Sequence, residues 1–425
     1  MSDSLITTEL LNAATCPNCW TDFSVSDVKW ITAHEELVDD YRLGPGEQQR
    51  FLPTRFDPNG CAVDIKGMTC HELACPSCHL RIPRSVLVFK PFFVSIAGTP
   101  SCGKTFYLAA MAWRLRKMLP SIFNVNFTDS DTECNQILND YEEQLFFYPD
   151  ESRFVKLAKT DVVGDWYSTI RVDEQLISYP KPFFFDVTPN KQHDNVVKRR
   201  NISRMICVYD NAGESFLPGA DTVANPVTRH LGRAEGWLYC YDLTQDPRLR
   251  SALAGKTDDH QVTESPVTSR QEVILNEMIN RIRRYSQLGR QGTTDKPLIV
   301  VCTKFDAMRS AMDMDNMPSP WLKTSKGKTV LDISTIKRVS NKIRKLLDKY
   351  CPELVAASDS VSKNVFFVPV SATGTSPEKD PETGDYMMRT DQLKPSWCEV
   401  PVMLMMALRA PSLIPAAVRK QESGE

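Results

Sequence analysis

The sequence has no apolar run long enough to cross a bilayer. It also has no bias of charge: 51 Lys and Arg stand against 53 Asp and Glu, for a formal net charge of -2. That removes any global case for a nucleic acid or an anionic membrane surface as partner and leaves only local patches. The opening MSDSLITTELLNAAT lacks the basic region and apolar core of a signal peptide, so the expectation is a cytoplasmic protein. A disulfide framework is missing as well. There are 13 cysteines, but four fall in two CxxC pairs. Most others, such as Cys207, Cys240 and Cys302, lie in apolar segments, as core thiols of a reducing compartment do. What remains is an ordinary soluble composition, 42% hydrophobic and 24% charged over 425 residues. That length allows two or three domains and at least one substantial core.

The most informative stretch is FFVSIAGTPSCGKTFYLAA, residues 92–110. An apolar strand runs into Gly98-Thr99-Pro100-Ser101-Cys102-Gly103-Lys104-Thr105 and then into a helix expected to reach about Leu119. This is the GxxxxGK[ST] pattern. Its loop must turn sharply so that backbone N–H groups, here those of Ser101, Cys102 and Gly103, converge on phosphate oxygens. Gly98 and Gly103 permit the close approach. Lys104 is expected to reach the outer phosphates, Thr105 to place a hydroxyl on magnesium, and the helix N-terminus to face the anion. A chance match in a glycine turn is the bland alternative, but strand before and helix after are the context the motif needs. Pro100 should stiffen the loop.

Three later segments bear on the base and on sensing. SRMICVYDNAGESF carries an apolar strand, residues 205–209, ending in Asp210. Asp210 is expected to hold magnesium through water, and Gly213 to offer its N–H to a terminal phosphate and release it after hydrolysis. KPLIVVCTKFDAM ends a strand in Thr303-Lys304-Phe305-Asp306. VFFVPVSATG ends one in Ser371-Ala372-Thr373. With these four motifs in order, each after an apolar run, the chain resembles the P-loop GTPases of the translation-factor and Ras-like class. The resemblance implies that Asp306 reads N1 and the 2-amino group of guanine, and that Lys304 packs along the base. It implies that Thr303 replaces the commoner Asn, with weaker bracing of the loop. The Ala372 N–H would meet guanine O6, flanked by Ser371 and Thr373. GTP and GDP with Mg2+ are the implied ligands. The resemblance also calls for a switch threonine between the first two motifs. Thr160 and Thr169 are the candidates, with Thr160 preferred because KTDVVGDW reads as a loop.

Lys104, Thr105, Gly213 and Glu214 form the expected catalytic set. Glu214 stands where many relatives of this class carry glutamine. A carboxylate there orients water but adds negative charge beside phosphate. The missing catalytic group is then sought in a partner's arginine, a local arginine or a homodimer contact, and turnover should be slow without it.

Upstream, TCPNCWTDF and ACPSCHLRIP place Cys16, Cys19, Cys75 and Cys78 in two C-P-x-C knuckles. Four thiolates suit a closed tetrahedral structural zinc, Zn2+, with no open position for catalysis. Cys70, His71 and His79 are the other ligands to hand. Unrelated surface turns or a redox pair are the alternatives, against which the repeated proline argues. Zinc would supply much of the folding energy of this unit. Chelation should loosen residues 1–85 and spare the rest. Ribbons of this kind also bind single strands, but aromatic and basic residues are too sparse here to make nucleic acid the expected partner.

The expected architecture is α/β. A P-loop GTPase domain with insertions spans residues 86–417, with a mostly parallel central sheet and helices on both faces. A zinc ribbon-like unit occupies residues 1–85, and residues 418–425 form a flexible tail. Two polar insertions stand out, near residues 248–268 and 308–328; the second, following the base-reading motif, is expected on the guanine side. The whole resembles a bacterial family of paired GTPases. That implies a dedicated second GTPase as protein partner, and a place in antiviral defence (conflict) systems. The leading expectation is a GTP-binding, slowly hydrolysing switch with no membrane contact. The alternatives are a nucleotide-binding assembly protein with little turnover, and a kinase, which would not need the TKxD loop.

Overall fold

The computed structural model describes residues 10–148, 152–157, 167–172, 175–211, 213–216, 228–253, 255–256, 259–263 and 271–417. Its centre is a seven-stranded sheet. In chain order the strands are β1 (Lys90–Gly98), β2 (Val125–Asp129), β3 (Phe183–Pro189), β4 (Arg204–Asp210), β5 (Gly236–Asp242), β6 (Leu298–Thr303) and β7 (Val365–Pro369). In space they run β7-β6-β5-β1-β4-β3-β2. The five from β7 to β4 are mutually parallel, and β3 is antiparallel to both its neighbours. Every residue of β5 and β6 is buried. That is why their sequences are nearly continuous apolar runs without the alternation of a half-exposed strand.

The main helices are α1 (Lys104–Met118), α2 (Gln136–Phe146), α3 (Gln271–Tyr285), α4 (Ile333–Tyr350), α5 (Pro352–Asp359) and α6 (Val400–Arg409). None of the described helices is long and apolar enough to cross a membrane.

The register brings the strand ends level. Asp210 pairs with Ile96, Cys240 with Gly98, Asp242 with Thr303, and Cys302 with Pro369. From β1 the chain first builds β2, β3 and β4 on one side and then β5, β6 and β7 on the other. The carboxyl end of β1 is therefore the point where strand order reverses, the place where open α/β sheets leave a crevice for ligands.

The expectation of helices on both faces needs one correction. On the face of β1, β3 and β4 that carries Phe93, Phe184, Met205, Cys207 and Tyr209, the cover is the N-terminal unit. Trp20, Phe23, Trp30, Leu73 and Ile82 of that unit share one buried core with those strand residues. The hairpin Tyr167–Val172 and Gln175–Pro180 adds Ile170 and Tyr179 to the same core. Alternation along β4 explains the split: 205, 207 and 209 face this core, while Ile206 and Val208 face the helical one. Each CxxC lies in a turn between short antiparallel strands, Ala13–Thr15 with Asp22–Ser24 and Leu73–Ala74 with Arg81–Ile82.

Candidate functional site

The segment from Gly98 to Gly103 joins the end of β1 to the start of α1. Gly98 has no room for a side chain: an added Cβ would lie 2.6 Å from Cys240 O and 2.8 Å from Cys102 Sγ. Gly103 has φ +86° and immediately precedes α1, a left-handed position that suits glycine. Lys104 is buried and donates to Gly98 O at 3.1 Å and Thr99 O at 3.2 Å. Thr105 is the second residue of α1.

Gly213 is the residue of the second motif that meets this loop. A Cβ on it would lie 2.6 Å from Pro100 Cδ and 2.8 Å from Gly98 O. Asp210 is buried, and neither of its carboxylate oxygens has a hydrogen-bond partner among the described residues. Burial pushes its pKa up to about 6, against the pull of the nearby Lys104 ammonium. Two buried carboxylate oxygens without a partner among the described residues are what a cation or its water shell would satisfy. The residues present therefore fit a magnesium site. Thr160, Ala212 and the side chain of Glu214 lie outside the described residues, whereas Thr169 is exposed on a hairpin strand, bonded to Ser178.

The third and fourth motifs converge on one cavity of about 360 Å³, within the range of small-molecule sites. Gly103, just before α1, and Phe106 of α1 line it, with Thr303 at the end of β6, Lys304 and Asp306 from the loop that follows, and Ala372 and Thr373 from the loop after β7. Asp306 Oδ1 accepts from Ser371 Oγ at 2.5 Å, and Oδ2 accepts from Gln261 Nε2 at 3.2 Å. Burial raises the pKa of Asp306, and these two donors oppose the rise. Ser371 Oγ in turn accepts from Gly374 N at 2.7 Å. Lys304 takes a left-handed φ of +53° and pairs with buried Asp242 at 2.7 Å.

The Thr303 hydroxyl donates to Cys102 O at 2.7 Å and lies 3.3 Å from Tyr241 O. It ties the third motif directly to the loop 98–105.

The outer wall departs from expectation. No residue of 308–328 lines the cavity; Met308, Met312 and Met314 are buried in the core instead. The wall is built by His260 and Gln261 from the first insertion and by Tyr386–Met388, with Val155 and Lys156. His260 stacks on Tyr386 with centroids 4.3 Å apart and rings 11° from parallel. Isolated polar residues in a long insertion gave no signal of this. Arg281 was equally hidden, in the run NRIRRYS. It is fully buried in α3, donates to Ser215 O at 2.5 Å, and lies 5.3 Å over the Phe216 ring. This local arginine holds the turn that follows Gly213.

The four knuckle cysteines come together. Their sulfurs all lie within 4.8 Å of one another. Sulfurs bound at about 2.3 Å to one tetrahedral ion stand about 3.8 Å apart. Cys16 Sγ to Cys78 Sγ and Cys19 Sγ to Cys75 Sγ are both 3.8 Å. Asn18 N and Ser77 N each donate to the first sulfur of their knuckle at 3.3 Å. Trp20 and His79, the residues after each second cysteine, both have positive φ and return a backbone bond to Cys16 O and Cys75 O. The two knuckles are thus copies in conformation as well as sequence, and the cluster could hold zinc. The other candidate ligands are engaged elsewhere: His79 with Asp40 at 2.8 Å, His71 with Cys61 at 3.6 Å, and Cys70 near Asp64 at 4.0 Å.

No family model matches the chain, and no curated protein matches it. Function is therefore argued from the site itself.

Proposed function

We propose that the chain is a guanine-nucleotide switch that hydrolyses GTP slowly and acts with a protein partner. One observation carries the reading: Gly103, Thr303, Lys304, Asp306, Ala372 and Thr373, from three strand-end loops, line a single cavity at the reversal point of the sheet. A largely apolar pocket with one buried carboxylate suits a planar base presenting two adjacent N–H donors. Guanine has that edge and adenine does not. Phosphates would then extend from the cavity along the loop 98–105 to the amino end of α1.

In this scheme Thr105 and Asp210 would hold magnesium, which neutralises phosphate charge and orients the phosphates in line. Lys104 exchanges its bonds to Gly98 O and Thr99 O for phosphate oxygens. Gly213, against Pro100, reports whether the terminal phosphate is present. Arg281 fixes the turn carrying Glu214, so this switch has a braced rather than free hinge. The four cysteines would hold zinc as a structural ion. The dedicated second GTPase and the defence role follow from the family resemblance, and the partner is the proposed source of the missing catalytic group.

Two substitutions test the site. Lys104→Ala should lower GTP affinity at least ~100-fold, the scale for removing one buried cationic or oxyanion donor. Unchanged affinity by titration with a fluorescent GTP analogue would remove Lys104 from the phosphate site. Asp306→Asn should cost about 100-fold in GTP affinity through two charge-assisted bonds and shift preference toward xanthosine triphosphate. An unaltered ranking of GTP, ATP and xanthosine triphosphate would overturn the base assignment. A hydrolysis panel over GTP and ATP separates the switch from an assembly protein, which binds without turning over.

A further inference from the structure

The residue before Asp210 belongs to the other side of the molecule. Tyr209 lies in the core shared with the N-terminal unit. Its hydroxyl donates to Pro17 O at 2.5 Å and accepts from Trp20 Nε1 at 3.1 Å. Pro17 sits between Cys16 and Cys19, and Trp20 follows Cys19. The first thiol knuckle is therefore fastened to the end of the strand that delivers Asp210.

The contact continues past Tyr209. Its ring stacks on His230 with centroids 4.5 Å apart and planes 7° from parallel. Asn211 Nδ2 donates to His230 Nε2 at 2.7 Å. The ring proton then sits on Nδ1, which donates to Ser95 Oγ at 2.6 Å. Trp20, Ser95, Tyr209, Asn211 and His230 are all buried. Two residues beyond Asn211, Gly213 abuts Pro100 of the phosphate loop. Among the described residues, packed groups thus run from the thiol cluster to Asn211, two positions before the glycine that abuts the loop 98–105.

We propose that Trp20, Tyr209 and His230 are positioning residues that set the stance of the segment from Asp210 to Gly213, so that metal in the thiol cluster and the terminal phosphate each change the affinity for the other. This rests on the nucleotide and zinc readings above. For Gly213 to follow a terminal phosphate, Asn211 must shift with it. A shift breaks the buried bond between Asn211 and His230, which is costly unless the ring and the knuckle beneath it move too. Packed groups of this kind respond in discrete arrangements, and whatever favours one arrangement at either end favours it at both.

The test uses the full chain with its metal. Tyr209→Phe keeps the ring and removes the hydroxyl that meets Pro17 and Trp20. Trp20→Phe keeps an aromatic ring without the N–H donor, and serves if the first variant folds poorly. With zinc retained, each should change the ratio of GTP-analogue to GDP affinity about fivefold or more. A merely structural loss would weaken both nucleotides alike and leave the ratio fixed. In the wild-type chain, zinc affinity measured by chelator competition should differ between the GTP-analogue and GDP states, and that difference should shrink in the variants. A fixed ratio together with equal zinc affinity in the two states overturns the coupling alone. A purified chain that holds no zinc, or binds no nucleotide, overturns the underlying reading and the coupling with it.

Discussion

Asp210→Asn should make the ligand-free protein more stable and, at the same time, unable to hold nucleotide in a magnesium-dependent way. Asp210 is buried without a hydrogen-bond partner among the described residues, and its pKa is pushed up to about 6 by that burial. An unfolded aspartate titrates near about 3.9. Between these values the folded chain binds more protons than the unfolded one, so this group's effect on stability worsens as pH rises from about 4 to about 6. Above that window the penalty is constant, at roughly 3 kcal/mol on the scale of 1.36 kcal/mol for each pKa unit. Asparagine escapes the charge penalty. Thermal melts of the two proteins should differ by a few degrees at pH 7 and converge near pH 4. Isothermal titration should show magnesium no longer strengthening GTP binding by the variant. Identical melting at neutral pH would mean that the carboxylate already has a partner, and the magnesium assignment would fall with that result.

The largest expected effect comes from the thiol cluster. Structural zinc contributes about 10–16 kcal/mol of apparent binding energy in small metal domains, against about 5–15 kcal/mol for the net stability of a whole domain. Read from residues alone, chelation should loosen residues 1–85 and spare the sheet. The shared core enlarges that expectation. Phe93, Phe184, Met205, Cys207 and Tyr209 lose their cover if the N-terminal unit opens. Cys75→Ser, or exhaustive chelation, should therefore raise amide exchange in Lys90–Gly98 and Arg204–Asp210 as well as in the knuckles, and raise dye binding to apolar surface. Protection of those two strands unchanged in a metal-free chain would show that the N-terminal unit is energetically separate.

The parts that could be read from the sequence share a physical reason. Strands buried on both faces must be apolar throughout, so 205–209 and the apolar runs that lead into Thr303 and Ser371 announced themselves. A tight turn between a strand and a helix needs glycine where backbones approach or φ is positive, so Gly98 and Gly103 did too. The clustering of the four cysteines was legible because they fall in two matching CxxC pairs. The cavity's outer wall was not. His260, Gln261 and Tyr386 act through side chains that any exposed loop carries, and nothing in their spacing distinguishes a wall from solvent. Nor did the sequence reveal that the N-terminal unit lies on the sheet. That follows from the inward-facing alternate residues of β4, whose partner an apolar strand cannot specify. Arg281 was hidden because a buried arginine on an amphipathic helix looks like its exposed neighbours until the carbonyl it meets is known.

The bond between Trp20 and Tyr209 joins residues 189 positions apart. A ribosome adding about 5–20 residues each second needs on the order of 10–40 s to make the second after the first. For that interval the indole N–H of Trp20 lacks its Tyr209 partner, although Phe93, Tyr179 and Phe184 of the shared core emerge sooner. The core beneath the first knuckle is thus completed only once β4 has emerged, and the chaperone dependence of the nascent chain should follow that delay.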